Sequence, residues 1–236
     1  MRNFLFLLLL SSVSVNAQES APVSNYNDFL ASSSGGLWTK SSSKVSKVKG
    51  STYLLDKWKN SSKIYGIDNR VQRIPFLNYN LKTKNFETRL LKTNGITTNY
   101  ASDSVYVFDS NTINKVLINN REFVKVKNSK TGKKEFMEFI SKTGNTSLYK
   151  NHLLKIEEGK LNPLTQQSMS ADKFVKKPVY YLKDNDGLKE IKMRKGKLLK
   201  LFVEHKKAIN IFINEHGLNL KNDYHIKRVF NYYNSL

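Results

Sequence analysis

The sequence predicts an α+β protein: an antiparallel β-sheet meander, with curled or barrel-like closure left open, followed by a C-terminal helix pair. Three observations carry this expectation. Turn signals recur roughly every 8–15 residues between Gly50 and Met193, the spacing of short strands that fold back on one another. The runs between those turns are rich in Val, Ile, Phe, Tyr and Thr. Beyond Lys197 the apolar spacing changes to that of amphipathic helices.

Taken in order, residues 1–17 read as a secretory signal peptide. Arg2 supplies the positive start, Phe4 to Leu10 the apolar run, and Val15-Asn16-Ala17 the small residues before a cleavage ahead of Gln18. Residues 18–49 are a Ser/Lys-rich, flexible lead-in. Trp38 stands out in it, either as a platform for stacking carbohydrate or as the anchor that docks the arm. The β body spans 50–194. Its opening run, Gly50 to Trp58, leads to Ile64–Ile67 and a turn at Asp68-Asn69. The stretch 71–92 then reads as a long hairpin in the middle of the sheet. Its first strand runs from Val71 through Tyr79, its turn lies near Lys82 to Asn85, and its second strand carries Phe86, Thr88 and Leu90. Pro75 cannot donate to a ladder, so it implies an edge, a bulge or a break.

Asn94-Gly95 marks another turn. Ser104 to Phe108 is apolar on both faces and reads as a central, covered strand. Ile113–Ile118 and Glu122–Val126 flank Asn119-Asn120, a pair that tolerates the positive φ angles of a two-residue hairpin turn. Further turns at Thr131-Gly132 and Gly144-Asn145 set off strands at 135–141 and 147–156. A loop covers Gly159 to Ala171, and a last hairpin joins 174–183 to 188–193. Segment 195–236 carries the helices. One is expected over Lys197 to His216, stopped by Gly217. A second begins near Asp223, with Ile226, Val229, Phe230 and Tyr233 on one stripe.

Composition narrows the function classes. The chain has 236 residues, 39% hydrophobic, enough for one core, and no internal repeat. It has no cysteine, which excludes disulfides, thiolate nucleophiles, cysteine-ligated metals and a lipoprotein anchor. No second apolar run is long enough to span a bilayer, so no transmembrane span is expected in the mature chain. The formal charge is +21, carried by 33 Lys against only 7 Arg. With 26 Asn beside them, the lysines fit an A/T-biased coding sequence. That compositional reading is favoured over a surface selected to meet polyanions, and the field attracts anions in a salt-dependent way in either case.

The sequence lacks the common phosphate, nucleotide, serine-hydrolase and zinc-protease signatures. His152, His205, His216 and His225 show no metal-ligand spacing, and Asp184 with Asp186 reads as a hairpin turn. No catalytic residue, cofactor or metal is therefore expected. Tyr180 and Tyr181, interleaved with Lys176, Lys177 and Lys183, suggest either a basic stacking surface or a half-buried strand with a wet lysine face. Export argues against a nucleic-acid partner.

Six runs together resemble an uncharacterised family of small exported proteins of Gram-negative bacteria. They are GSTYLLDKW, IPFLNYNLKTKNFETRL, DSVYVFD, VLINNREFVKV, LNPL and KPVYYLK. The resemblance covers residues 50–236. It rests on a Gly-Ser-x-Tyr-Leu opening and on a Tyr79-Asn80 strand facing Phe86-Glu87. Where family members carry an arginine before the Tyr-Asn pair, this chain has Asn78. The resemblance implies architecture and localisation, in the periplasm or outside the cell, and no activity.

The expectation is a non-catalytic envelope or interaction protein with a basic surface, partnered by an anionic envelope component or an acidic protein. Two other readings stay open: an envelope hydrolase with an unrecognised site, and a structural subunit of an outer-membrane assembly. The candidate ligand-contacting or signature residues are Tyr79, Asn80, Trp38, Tyr180 and Tyr181.

Overall fold

The computed structural model describes residues 38–42, 48–89, 91–93, 98–100, 104–128, 131–165 and 169–236. The signal-peptide expectation, most of the lead-in and the Asn94-Gly95 turn lie outside them. The fold is α+β: an open, eight-stranded antiparallel sheet, a smaller four-stranded sheet, a two-stranded hairpin and C-terminal helices.

The strands are β1 (Trp38–Ser42), β2 (Ser62–Gly66), β3 (Val71–Arg73), β4 (Leu77–Asn80), β5 (Asn85–Thr88), β6 (Leu91–Thr93) and β7 (Thr98–Tyr100). They continue with β8 (Ser104–Phe108), β9 (Ile113–Ile118), β10 (Arg121–Lys127), β11 (Lys134–Thr143), β12 (Thr146–Glu157), β13 (Lys173–Asp184) and β14 (Gly187–Ile191). The long sheet runs β14-β13-β12-β11-β10-β9-β2-β3, so from β9 onward each strand pairs with the next in sequence. The expected meander is present in that half. Asn119 and Asn120 take φ of 49° and 62° between β9 and β10, the left-handed angles a two-residue turn demands. Pro178 sits opposite His152, before the stretch of β13 that β14 covers. A residue without an N–H is tolerated there because that side of β13 is an edge.

The stretch 71–92 does not form one hairpin in one sheet. Val71–Arg73 pairs with β2 in the long sheet, whereas Leu77–Asn80 pairs with β5 in the four-stranded one. Pro75 lies in the crossing between the sheets, where no ladder bond is asked of it. Leu91–Thr93 turns instead to β7. β4 is also an edge strand, in the order β1-β8-β5-β4. Its outer side is covered by 52–55: Leu54 N–H donates to Tyr79 O (2.9 Å) and Leu81 N–H to Thr52 O (2.8 Å). The Asn78 amide meets both the N–H and the O of Leu55. An unpaired edge is thereby closed. β8 is central, as its two apolar faces require, and its outer neighbour is β1, drawn from the stretch read as a flexible lead-in.

Two apolar clusters share one face of the long sheet. The four-stranded sheet packs on the first, which includes Ile74, Leu77, Tyr79, Phe86, Phe108, Val116, Phe123 and Phe136. Phe86 stands edge-on to Phe136 with ring centres 5.0 Å apart, a favoured aromatic geometry. The helices α1 (Lys195–Leu198), α2 (Lys206–Glu215) and α3 (Asp223–Tyr233) cover the second, on Ile140, Leu148 and Leu182. Gly217, at φ +55°, ends α2 as expected. The helix expected over 197–216 is broken, however, into α1 and α2. No Gly or Pro marks the break. Leu198, Leu199 and Phe202 are all buried across it, and drawing three neighbouring apolar side chains into one core overrides the local helical preference. Met137, Val126 and Tyr181 form a third cluster on the opposite face.

Candidate functional site

Along β11, Phe136 joins the first cluster and Ile140 the second, and Glu138 lies between them on the same face. Along β12, Leu154 and Leu148 bracket His152 and Lys150 in the same way. The strand registers set Glu138 opposite Lys150 and Lys150 opposite Tyr180. A polar seam therefore crosses the sheet between its two apolar clusters.

Arg121 grips Glu138 with both arms of its guanidinium. Its Nε donates to Oε1 at 2.9 Å and its Nη2 to Oε2 at 2.7 Å, the bidentate geometry that makes such pairs strong. His152 Nε2 lies 2.8 Å from Glu138 Oε2 and 3.0 Å from Arg121 Nη2. One ring nitrogen cannot donate to the carboxylate and accept from the guanidinium together, so we assign its proton to Nε2, facing Glu138. The Glu138 side chain is only 3% exposed and that of Arg121 is 28% exposed. Burial pushes the Glu138 pKa up, but hydrogen bonds from Arg121 and His152 and their charges prevail and hold it at about 2. Burial lowers the His152 pKa and the Arg121 and Lys150 charges add to that, against the pull of Glu138, so the ring gives up its proton more readily than a free imidazole. Next to this triad, Lys150 Nζ meets Asp223 Oδ2 at 2.5 Å and the Tyr180 hydroxyl donates to Asp223 Oδ1 at 2.6 Å. Burial first, and then Asp223, raises the Tyr180 pKa. Asp223 opens α3, where a carboxylate also meets the positive end of the helix dipole. The seam thus locks α3 onto the sheet through charge.

Beside α3, a cleft of about 410 Å³ opens where the β9–β10 turn, β11 and the helix meet. Leu117, Phe139 and Ile140 supply its apolar lining, and Asn120, Ser141, Lys142, Lys227 and Asn231 its polar one. A β-bulge shifts the β11–β12 register between Phe139 and Ser141 at this point. Such bulges bend a strand and re-aim its side chains. Asn234 closes the far end of α3 on β11, its Nδ2 donating to Lys142 O at 2.9 Å.

The other charged feature is the run 192–207. It carries seven Lys and Arg against Glu204 alone, a net of +6. Leu198, Leu199 and Phe202 pin it to the core while Lys192, Arg194, Lys197, Lys200, Lys206 and Lys207 are exposed. Among the described residues, Lys115, Lys150, Lys173, Lys176 and Lys189 find carboxylates, whereas no cation of 192–207 forms an ion pair.

The residues singled out from the sequence are scattered by the fold. Tyr79 is fully buried, its ring 4.8 Å from that of Phe86. Asn80 is buried; its Nδ2 donates to Glu87 at 2.9 Å and its Oδ1 receives the Lys82 and Thr83 N–H groups of the turn. Glu87 also accepts from the Tyr53 hydroxyl at 2.6 Å. Tyr53 and Leu54 with Tyr79, Asn80 and Glu87 thus meet as one packing unit. Trp38 lies on β1 opposite Phe108. Tyr180 belongs to the seam, while Tyr181 packs on the other face. Sequence reasoning missed Arg121, Glu138, Lys150 and Asp223. One signal was present: a lone carboxylate inside Phe136-Met137-Glu138-Phe139-Ile140, where a core-facing charge requires a partner.

Among the described residues, no group of three or more His, Asp or Glu could hold a metal ion, and no helix is long and apolar enough to cross a membrane. Compared with models of known protein families, with curated proteins and with solved structures, the chain matches none.

Proposed function

We propose that this is a non-catalytic exported protein that binds an anionic envelope component through its basic surface, with 192–207 as the main contact. The observation that carries the reading is the uncompensated charge of that run. Lysines elsewhere are partly neutralised by carboxylates; these are not, and three buried apolar residues hold them in place. Clusters of 4–8 cations gain roughly 1 kcal/mol each near an anionic surface. Export is supported by the pattern of residues 1–17, and the resemblance of 50–236 to a family of exported proteins points the same way.

The test uses residues 18–236 and vesicles of phosphatidylglycerol or of phosphatidylcholine. Retention on the anionic vesicles alone is expected, falling steeply with salt. The Lys192→Gln, Lys195→Gln, Lys197→Gln, Lys200→Gln variant should lose most of it. Equal retention on both lipids defeats the proposal, as does recovery from envelope extract of a protein partner that resists high salt.

A further inference from the structure

The cleft beside α3 is separate from the 192–207 run and has its own chemistry. We propose that it binds the acidic sugar unit of a glycan, so that the anionic component of the preceding reading, on which this inference rests, is an acidic carbohydrate. Among the described residues, the side chains of Asn120, Ser141, Lys142, Lys227 and Asn231 make no hydrogen bond or ion pair with the protein. Asn120, Lys142 and Asn231 are exposed, so these side chains bond only to solvent and can exchange that water for a ligand around one hollow. Their types are those a sugar acid satisfies. The two ammonium groups suit its carboxylate. The two carboxamides and the hydroxyl both donate and accept, as ring hydroxyls require. Leu117, Phe139 and Ile140 offer an apolar lining for the C–H face of the ring. Glu122 also lines the cleft, and its tie to Lys115 is long, at 3.6 Å, which leaves acceptor capacity for a further hydroxyl.

Other anions fit this lining less well. Inorganic phosphate has no use for the apolar residues or the carboxamides. A fatty-acid chain would strip water from the two asparagines and Ser141 without replacing it, which costs free energy for each. The volume, about 410 Å³, falls in the range of ligand clefts, roughly 300–1,000 Å³. α3 carries Lys227 and Asn231 four residues apart, hence on one side of the helix. The seam that anchors Asp223 and the Asn234 contacts with Thr143 and Lys142 hold both ends of α3, so these two side chains are presented from a fixed support.

The experiment is an NMR and calorimetric titration of residues 18–236 with digalacturonic acid, with neutral galactobiose, and with laurate. Digalacturonic acid should bind saturably, with amide shifts centred on Asn120, Ser141, Lys227 and Asn231. Galactobiose should bind about tenfold more weakly or worse. The Lys142→Gln, Lys227→Gln variant should lose about tenfold or more in affinity, as the loss of two charge-assisted bonds implies. The matching Arg pair should retain binding, and melting temperature should stay unchanged in both. The proposal fails if digalacturonic acid does not bind, if it binds the Gln variant equally, or if laurate alone produces the shifts. The two readings part cleanly: loss of anionic-vesicle retention in the unsubstituted protein sinks the surface reading, whereas loss of digalacturonic acid binding with retention intact sinks only the cleft.

Discussion

Replacing Glu138 by Gln tests the seam most directly. The substitution keeps the side-chain volume and removes one charge, leaving the Arg121 guanidinium largely buried without its counterion. Two routes give the magnitude. The Glu138 pKa lies at about 2 against an ordinary 4.5, and the difference corresponds to roughly 3 kcal/mol of native-state preference for the ionised form. Breaking a buried pair by removing one partner costs about 3–5 kcal/mol. Both are large beside a total stability of about 5–15 kcal/mol. Urea unfolding near neutral pH should show a lower midpoint at unchanged slope. The pH dependence follows from the sign of each shift. Glu138 has a depressed folded pKa, so its contribution is present above 4.5 and disappears as pH falls toward 2. His152 is depressed as well, so its contribution is present above 6.5 and is lost on acidification through its lowered folded pKa. The native protein should weaken in both ranges, and the Gln variant should lack the Glu138 component. A variant within about 0.5 kcal/mol of the native protein, or an identical acid slope below pH 4.5, would refute the argument.

Three further outcomes are expected. Tyr53→Phe removes the 2.6 Å bond to Glu87 and should cost roughly 1.5–3 kcal/mol, read as a lower melting temperature; an unchanged melt would mean the bond contributes nothing. Asn120→Ala should destabilise by about 1 kcal/mol in urea while Asn120→Gly should not, because the position sits at φ 62°; equal effects would contradict a backbone cause. Phe230→Ala, at a fully buried position 5.3 Å from the Phe202 ring centre, should cost about 3–5 kcal/mol and weaken the near-ultraviolet circular dichroism of the helical core.

Much of the fold is legible in residue order because its signals are local. The Asn119-Asn120 turn, the Gly217 stop and the strands around them depend on φ preferences that a residue carries wherever it sits. The stretch 71–92 reads as one hairpin yet divides among three sheets, because periodicity shows that a run is extended and not which neighbour it pairs with. Pro75 contained the hint of a break, but whether the break was a bulge or a passage between sheets depended on partners far away in sequence. The site was less legible still. Arg121 meets a carboxylate 17 residues on and an imidazole 31 residues on, and neither interval repeats a known motif. Tyr79 and Asn80 are candidates in the sequence because they carry the resemblance to a family of exported proteins. The fold uses them to pack the core and tie a turn.

By itself, the sequence determined the class of the fold, the excess of lysine, the absence of cysteine chemistry and the placement of most turns. All of these follow from composition or from the conformational limits of single residues. Only the tertiary structure decided that Glu138 has a counterion, that Asp223 anchors α3 to Lys150 and Tyr180, and that five polar side chains converge on one cleft. The physical reason is that strand register and helix docking bring these groups together. Both are set by burying apolar side chains such as Phe136, Ile140 and Phe230 across the whole chain, so the polar partners are a consequence of that packing and leave no spacing of their own to read.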